Sequence, residues 1–138
     1  MAEFVLTDPY VSIGAVDLSD HCRQVTIKGT RANVEQTAAG DAGVKRAPAL
    51  YDWTMDFVFN QDFAAGNVDA TLYTAWTGTG TAIIVRADSG AVGATNPEWT
   101  GTGLLPEYTP VSGSIGDNAE ISASFVGQNG SALARATA

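Results

Sequence analysis

Asp52 and Asp56 stand four residues apart with Thr54 between them, and paired carboxylates at a suitable separation can give and take protons. On a strand all three would share one face, and a strand with a dry inner face has a wet outer one, so a solvated acidic face accounts for them better than acid/base catalysis. His21 beside Cys22 suggests a thiol nucleophile or a metal ligand. With one His and one Cys in the chain, a tetrahedral zinc site would need carboxylates to complete it, and no residues here have ligand spacing. A turn histidine next to a small buried hydrophobe accounts for the pair. Gly78-Thr79-Gly80 and Gly101-Thr102-Gly103 are not phosphate loops, because neither leads into a helix or carries a following Lys; they read as strand-end turns. Trp53, Trp76 and Trp99 could stack sugars or bases, but the first two belong to core faces and Trp99 alone reads as exposed. Lys45-Arg46 is a cationic pair suited to salt bridging or an interface. No catalytic, cofactor-binding or metal-binding set remains, and the chain reads as a non-enzyme without cofactor or metal.

The elements that hold these residues are organised around residues 51–60. Alternation puts Tyr51, Trp53, Met55, Phe57 and Phe59 on one face of a strand and Asp52, Thr54, Asp56 and Asn60 on the other. Four aromatic rings and a methionine on one face must line a core or an equally dry interface. Val68, Leu72 and Trp76 recur at helical spacing just downstream, with Asn67 placed to cap that helix and Gly78 to end it. The expected core is Trp53, Met55, Phe57, Phe59, Leu72 and Trp76. Upstream, residues 10–13 and 15–18 flank Gly14 as a small hairpin, and residues 22–30 alternate with Val25 and Ile27 on one side. Downstream, residues 82–87 form a β-branched strand, residues 99–105 an extended path placed at an edge or bulge by Pro106 and Pro110, and residues 121–126 a closing strand. Residues 1–9 read as an N-terminal arm, residues 30–49 as a long projecting loop or hairpin with weak periodicity, and residues 128–138 as a mobile polar tail. The whole of residues 1–138 fits one mainly β domain with a flanking helix.

The chain of 138 residues carries a formal charge of −8, which disfavours a groove that grips nucleic acid through Lys and Arg. A single cysteine excludes an intrachain disulfide, and the longest apolar runs are far too short to span a bilayer, so a soluble chain without membrane binding is expected. Low charge density with many Gly, Ala and Thr residues suits extensive protein contacts.

Four stretches in this order resemble the tail tube (major tail) proteins of long-tailed bacteriophages, over nearly the whole chain. They are Val11-Ser12-Ile13-Gly14 with Val16-Asp17-Leu18-Ser19-Asp20-His21-Cys22; Val34-Glu35-Gln36-Thr37 through Gly40-Asp41, Lys45-Arg46 and Pro48-Ala49-Leu50 into Asp52-Trp53-Thr54-Met55-Asp56-Phe57; Val68-Asp69-Ala70-Thr71-Leu72 into Gly80-Thr81-Ala82-Ile83-Ile84-Val85-Arg86; and Ser112-Gly113-Ser114-Ile115-Gly116-Asp117 into Glu120-Ile121-Ser122-Ala123-Ser124-Phe125-Val126-Gly127. Ala38-Ala39 and Tyr51 depart from the family, which often has an aromatic residue and a glycine at those places.

The resemblance implies a β-sandwich or barrel-like subunit, joined edge to edge into hexameric rings that stack into a tube. It implies the tape measure protein in the lumen, tail terminator and tail-tip proteins at the ends, DNA passing without specific binding, and a place in the virion after assembly in the host cytoplasm. Asp52, Thr54 and Asp56 then become candidates for the lumen face, and Val34, Glu35, Thr37, Asp41, Lys45 and Arg46 for an inter-subunit loop. Competing readings are a capsid decoration protein, a tube protein of a contractile or secretion apparatus, a lipocalin-like barrel with the aromatic face lining a cavity, and a hydrolase, which lacks a convincing nucleophile and base.

Overall fold

The structure, a computed structural model, describes residues 3–128 and 130–138. Met1 and Ala2 of the expected arm and Asn129 of the expected tail lie outside the described residues. Strand β1 (Tyr10–Ile13) turns into β2 (Val16–Asp17) through Gly14 and Ala15 at φ 59° and 67°. Positive φ at both central positions gives the hairpin turn whose twist matches that of its strands. A 3-10 turn, Ser19–His21, leads into β3 (Cys22–Glu35), followed by β4 (Arg46–Asn60), α1 (Val68–Thr77), β5 (Thr81–Arg86), β6 (Glu98–Leu104), β7 (Glu120–Gly127) and β8 (Ala134–Ala136).

All strands join one antiparallel sheet in the order β2-β1-β5-β6-β7-β4-β3, with β8 added to β6. Its two ends do not meet, so the sheet is open and not a closed barrel. The mainly β fold with one flanking helix is therefore realised as a folded sheet. Its two halves are linked where β6 meets β7 by only two residue pairs, Gly103↔Gly127 and Leu104↔Val126.

Alternation along β4 buries Trp53, Met55, Phe57 and Phe59, while Asp52 and Asp56 stay exposed. These side chains form one core with Ile121, Ala123 and Phe125 of β7, Val11 and Ile13 of β1, and Ile83 and Val85 of β5, so both halves of the sheet bury their inner faces together. Phe57 stacks on Phe59 at 5.5 Å and meets Phe125 edge-on at 5.9 Å. Full burial of each side chain of this size contributes about 1.5–3 kcal/mol. Helix α1 closes the core with Val68, Thr71, Leu72 and Ala75.

Several expectations need correction. Trp76 is 45% exposed, because Val68, Leu72 and Ala75 already fill the space below the helix and the indole stacks instead on Tyr108, at 5.5 Å. Tyr51 is 72% exposed: β4 gains its second partner, β7, only from Thr54↔Val126 onward, so Tyr51 lies on a two-stranded extension with no core beneath it. Asn67 sits at the N-cap but its side chain donates to the Asp62 carboxylate at 2.6 Å and caps nothing. Trp99 is half-buried against the core, and β6 is an inner strand paired with β5, β7 and β8. The segment 30–49 is strand on both flanks, with Arg31↔Tyr51, Val34↔Ala47 and Glu35↔Arg46 in register, and only residues 36–45 are irregular. It lacks a hydrophobic period because solvent bathes both of its faces. The polar tail carries β8, held by backbone pairing that needs no apolar side chain, with Leu133 packed on the core.

Gly101-Thr102-Gly103 is not a turn but the middle of β6. The Trp53 ring lies across it: a Cβ on Gly101 would stand 2.6 Å from Trp53 Cζ2, one on Gly103 3.1 Å from Cη2, and one on Gly127 2.9 Å from Nε1. Gly101→Ala and Gly127→Ala are each expected to lower unfolding free energy by about 1–3 kcal/mol, since overpacking forces the indole or the backbone to shift. Gly93→Ala, which opens onto free space, should change it by less than about 0.5 kcal/mol. Urea unfolding of the three variants checks this.

Candidate assembly surfaces

The outer face of the β3-β4-β7 region is polar by construction. Register places Thr26 beside Asp56, Lys28 beside Thr54 and Thr30 beside Asp52, with Ser124 and Ser122 of β7 flanking Asp56 and Val58 on the other side. Asp52 and Asp56 are exposed and Thr54 is half-buried. At about 3.3 Å per residue the two carboxylates are attached roughly 13 Å apart, beyond the span at which two carboxyl groups flank one scissile bond. Hydroxyls, two carboxylates and the Lys28 ammonium make this face hydrated and net acidic.

Strand β3 is the terminal strand of the sheet and, among the described residues, hydrogen-bonds only to β4. Its 14 residues therefore present a row of free backbone donors and acceptors along one side, a template for another strand. The opposite end of the sheet, β2, has only two residues. The two edges are thus very unequal in what they can pair with.

At the far end of the β3-β4 hairpin the loop is held by its own residues. Gln36 N–H donates to the Lys45 carbonyl at 2.8 Å, Lys45 N–H to Thr37 Oγ1 at 2.9 Å, and Ala38 N–H to Asp41 Oδ2 at 2.7 Å. Lys45 Nζ lies 3.0 Å from Asp41 Oδ1, and Gly40 supplies the left-handed residue of the turn at φ 91°. The Ala38 N–H first and the Lys45 ammonium second hold the Asp41 carboxyl below the usual Asp range. Thr37, Asp41 and Lys45 thus shape the tip, whereas Val34, Glu35 and Arg46 stand on its exposed flanks.

The other end of the sheet gathers residues from distant parts of the chain. His21 Nε2 is 3.7 Å from Asp62, and Arg23 pairs with Glu120. Burial pushes the Cys22 thiol up, the reverse of what a nucleophilic thiolate needs. Nearby, Tyr73, Trp76 and Tyr108 form an aromatic cluster with centroids 5.5–6.1 Å apart, and Tyr108 donates its hydroxyl to the Asp69 carboxylate. Burial, then the Asp69 bond and charge, push Tyr108 up to about 12. This cluster was not anticipated; the three-residue spacing of Tyr73 and Trp76 was the available signal, but Tyr108 joins from a loop.

These surfaces belong to a class of open, mainly antiparallel β-folds with one flanking helix and a long projecting hairpin. A chain in the virion of a native gene transfer agent (GTA) particle shares the fold with TM-score 0.69 at 11% sequence identity, over 92% of this chain and 95% of its own length. A chain in the tail of an empty GTA particle, solved by helical refinement with C6 symmetry, does so with TM-score 0.63 at 11% identity, over 83% and 82%. No family model and no curated protein matches the sequence.

Asp41 and Tyr108, shifted in opposite directions, give pH expectations of opposite sign. Asp41, lowered, should titrate below a free Asp by NMR; its support of the tip is complete above the ordinary Asp range and is lost as pH falls through its own value. Tyr108, raised, supports the fold fully below the ordinary tyrosine range and loses that support as pH rises through about 12. In an alkaline absorbance titration one of the four tyrosines should lag the others, and Asp69→Asn should bring it back toward them.

Proposed function

We propose that this chain is a tail tube subunit, a structural virion protein that assembles as stacked hexameric rings into a tail tube through which DNA is ejected. The observation that carries this reading is the fold shared, nearly end to end, with chains of a GTA virion and of a C6-symmetric GTA tail. Physical reasoning supports it. A long free edge such as β3 is an aggregation hazard in a monomer, but rotation about a closed ring pairs every such edge with a neighbour. The polar sheet face bearing Asp52, Thr54 and Asp56 would then line the bore. Asp52 and Asp56 outnumber Lys28 on this face, so on balance it repels phosphates within about 8 Å at physiological salt, its hydroxyls offer little to grip, and DNA slides without being bound. The tape measure protein would fill the lumen before ejection, terminator and tip proteins would close the ends, and assembly would take place in the host cytoplasm. The role asks for no catalysis and no cofactor.

Negative-stain electron microscopy of the purified full chain across a concentration series tests this directly. Hollow rods or six-fold rings are expected. A chain that stays monomeric at every concentration and binds apolar dyes would overturn the tube in favour of a ligand barrel. Replacing residues 37–44 by a two-residue turn should abolish rods while leaving rings, since β3 and its edge remain.

A further inference from the structure

Residues 3–9 precede β1 and run beside β3. Asp8 accepts a hydrogen bond from Ser89 Oγ at 2.6 Å, which pins the base of this arm to the turn after β5. Thr7 and Pro9 border a crevice with Cys22 and Gln24, and Leu6 reaches farther, to one walled by Val25, Ile27 and Gly29. As arm numbers fall from 9 to 6, β3 numbers rise from 22 to 29, so the arm runs antiparallel to β3. Among the described residues it forms no strand and no backbone hydrogen bond with β3.

Val25, Ile27 and Gly29 share the inner face of β3, and a groove follows them. Two cavities of about 380 and 400 Å³ have Gly29 and Leu133 as common walls; Val85 and Trp99 line the first, Tyr51 and Trp53 the second. Gly29 stands opposite Trp53, and a Cβ there would meet nothing within 4 Å, so the groove is open where that side chain is missing. Phe4, 61% exposed, and Leu6, 49% exposed, share one face of an extended arm, while Val5 points away. With Leu6 beside Ile27, Phe4 falls at Gly29, where the groove has room for an aromatic ring.

We infer that residues 3–7 zip onto the free edge of β3 as a further antiparallel strand, with Leu6 over Ile27 and Phe4 in the space above Gly29. The occupant is this segment because it is tethered beside the edge, already brings Leu6 to the groove, and carries its apolar residues two apart. An added strand takes affinity from main-chain hydrogen bonds and specificity from pockets for alternate side chains, and β3 offers both. The tether holds the arm at high effective concentration, so a free copy covers its own edge without a partner. The consequence for assembly rests on the tube reading: a neighbouring subunit pairs along that same edge, and the arm is a strap that must lift before a ring closes.

Amide hydrogen exchange of the full chain, below the concentration at which it assembles, tests the docking by itself. It is read at those amides of residues 24–29 that do not bond β4. The comparison is with Phe4→Ser/Leu6→Ser and with Val5→Ser, all at side chains outside the core, with circular dichroism checking the fold. The double variant should exchange these amides at least about tenfold faster, and Val5→Ser as the full chain does. Equal exchange in all three overturns the added strand. So does a loss of protection in Val5→Ser as large as in the double variant, because a strand seated by alternate side chains is indifferent to Val5. Gly29→Leu fills the Phe4 seat from the other side, has open space in which to fold, and should also speed exchange at residues 24–27. Unchanged exchange there overturns the seat assigned to Phe4. Electron microscopy then decides the strap. A covered edge lowers the fraction of chains able to pair, so the double variant should form rings or rods at a concentration at least about threefold below that of the full chain. An equal or higher concentration overturns the strap. If no chain assembles at any concentration, the tube reading falls and the strap with it, while the exchange comparison still decides where the arm binds.

Discussion

The Trp53 indole lying on three backbone glycines holds the two halves of this sheet together. Strands β6 and β7 share only two residue pairs, too few to fix the angle between the halves by hydrogen bonding alone. Trp53 projects from β4 across that joint, packs against Gly101 and Gly103 on one side and Gly127 on the other, and donates Nε1–H to the Ser131 carbonyl at 2.9 Å. Burying a ring of this size removes about 150–250 Å² from water, a contribution on the order of 4–6 kcal/mol. The same hydrogen bond fixes the chain just before β8, so one side chain ties together β4, the β6-β7 joint and the C-terminal segment. A Cβ on Gly101 or Gly127 would stand less than 3.0 Å from the indole, so a side chain there forces the ring or the backbone to shift.

The same joint explains why the hairpin projects. Below Trp53, β4 is flanked on both sides and backed by core; beyond it, β4 has only β3. Two strands alone in water are of marginal stability, because neither face is dry and few side chains are buried. The tip compensates locally through the Asp41, Thr37 and Lys45 contacts, and Arg31 lies over the Tyr51 ring at 4.4 Å. An extension that is ordered but poorly buried gains most from a surface supplied by another molecule.

What the sequence makes legible follows from period. The run Trp53-Met55-Phe57-Phe59 and its polar complement Asp52-Thr54-Asp56 can be read because a strand between core and solvent must alternate. The positive-φ turn at Gly14 and the stripe Val68-Leu72 are local in the same sense. Tyr51 continues the alternation past the point where the core ends, and no local signal marks that point, since it is set by where β7 begins. Trp76 keeps helical spacing but yields its place to Ala75, which depends on the depth available under the helix. The glycines of β6 look like turn residues until Trp53, about fifty positions away in the chain, is seen to need the room. The end of the sheet opposite the hairpin is completed by loops, where no period exists, so Phe63, Ile115 and Asp117 carry no joint signature in the sequence.

On the tube reading, an acidic subunit faces a conflict between solubility and growth. A net charge of −8 keeps free copies apart, and the repulsion acts at separations up to about 8 Å before salt screens it. Contact forces must then overcome it over a smaller range. On the tube reading, a lone subunit offers one such contact, whereas a preformed six-fold ring offers six at once. Six weak contacts made together lengthen residence far more than six made separately, because after the first engages the rest are held at high effective concentration. Growth would therefore proceed on existing rings and be slow elsewhere, with no separate factor needed to distinguish the two.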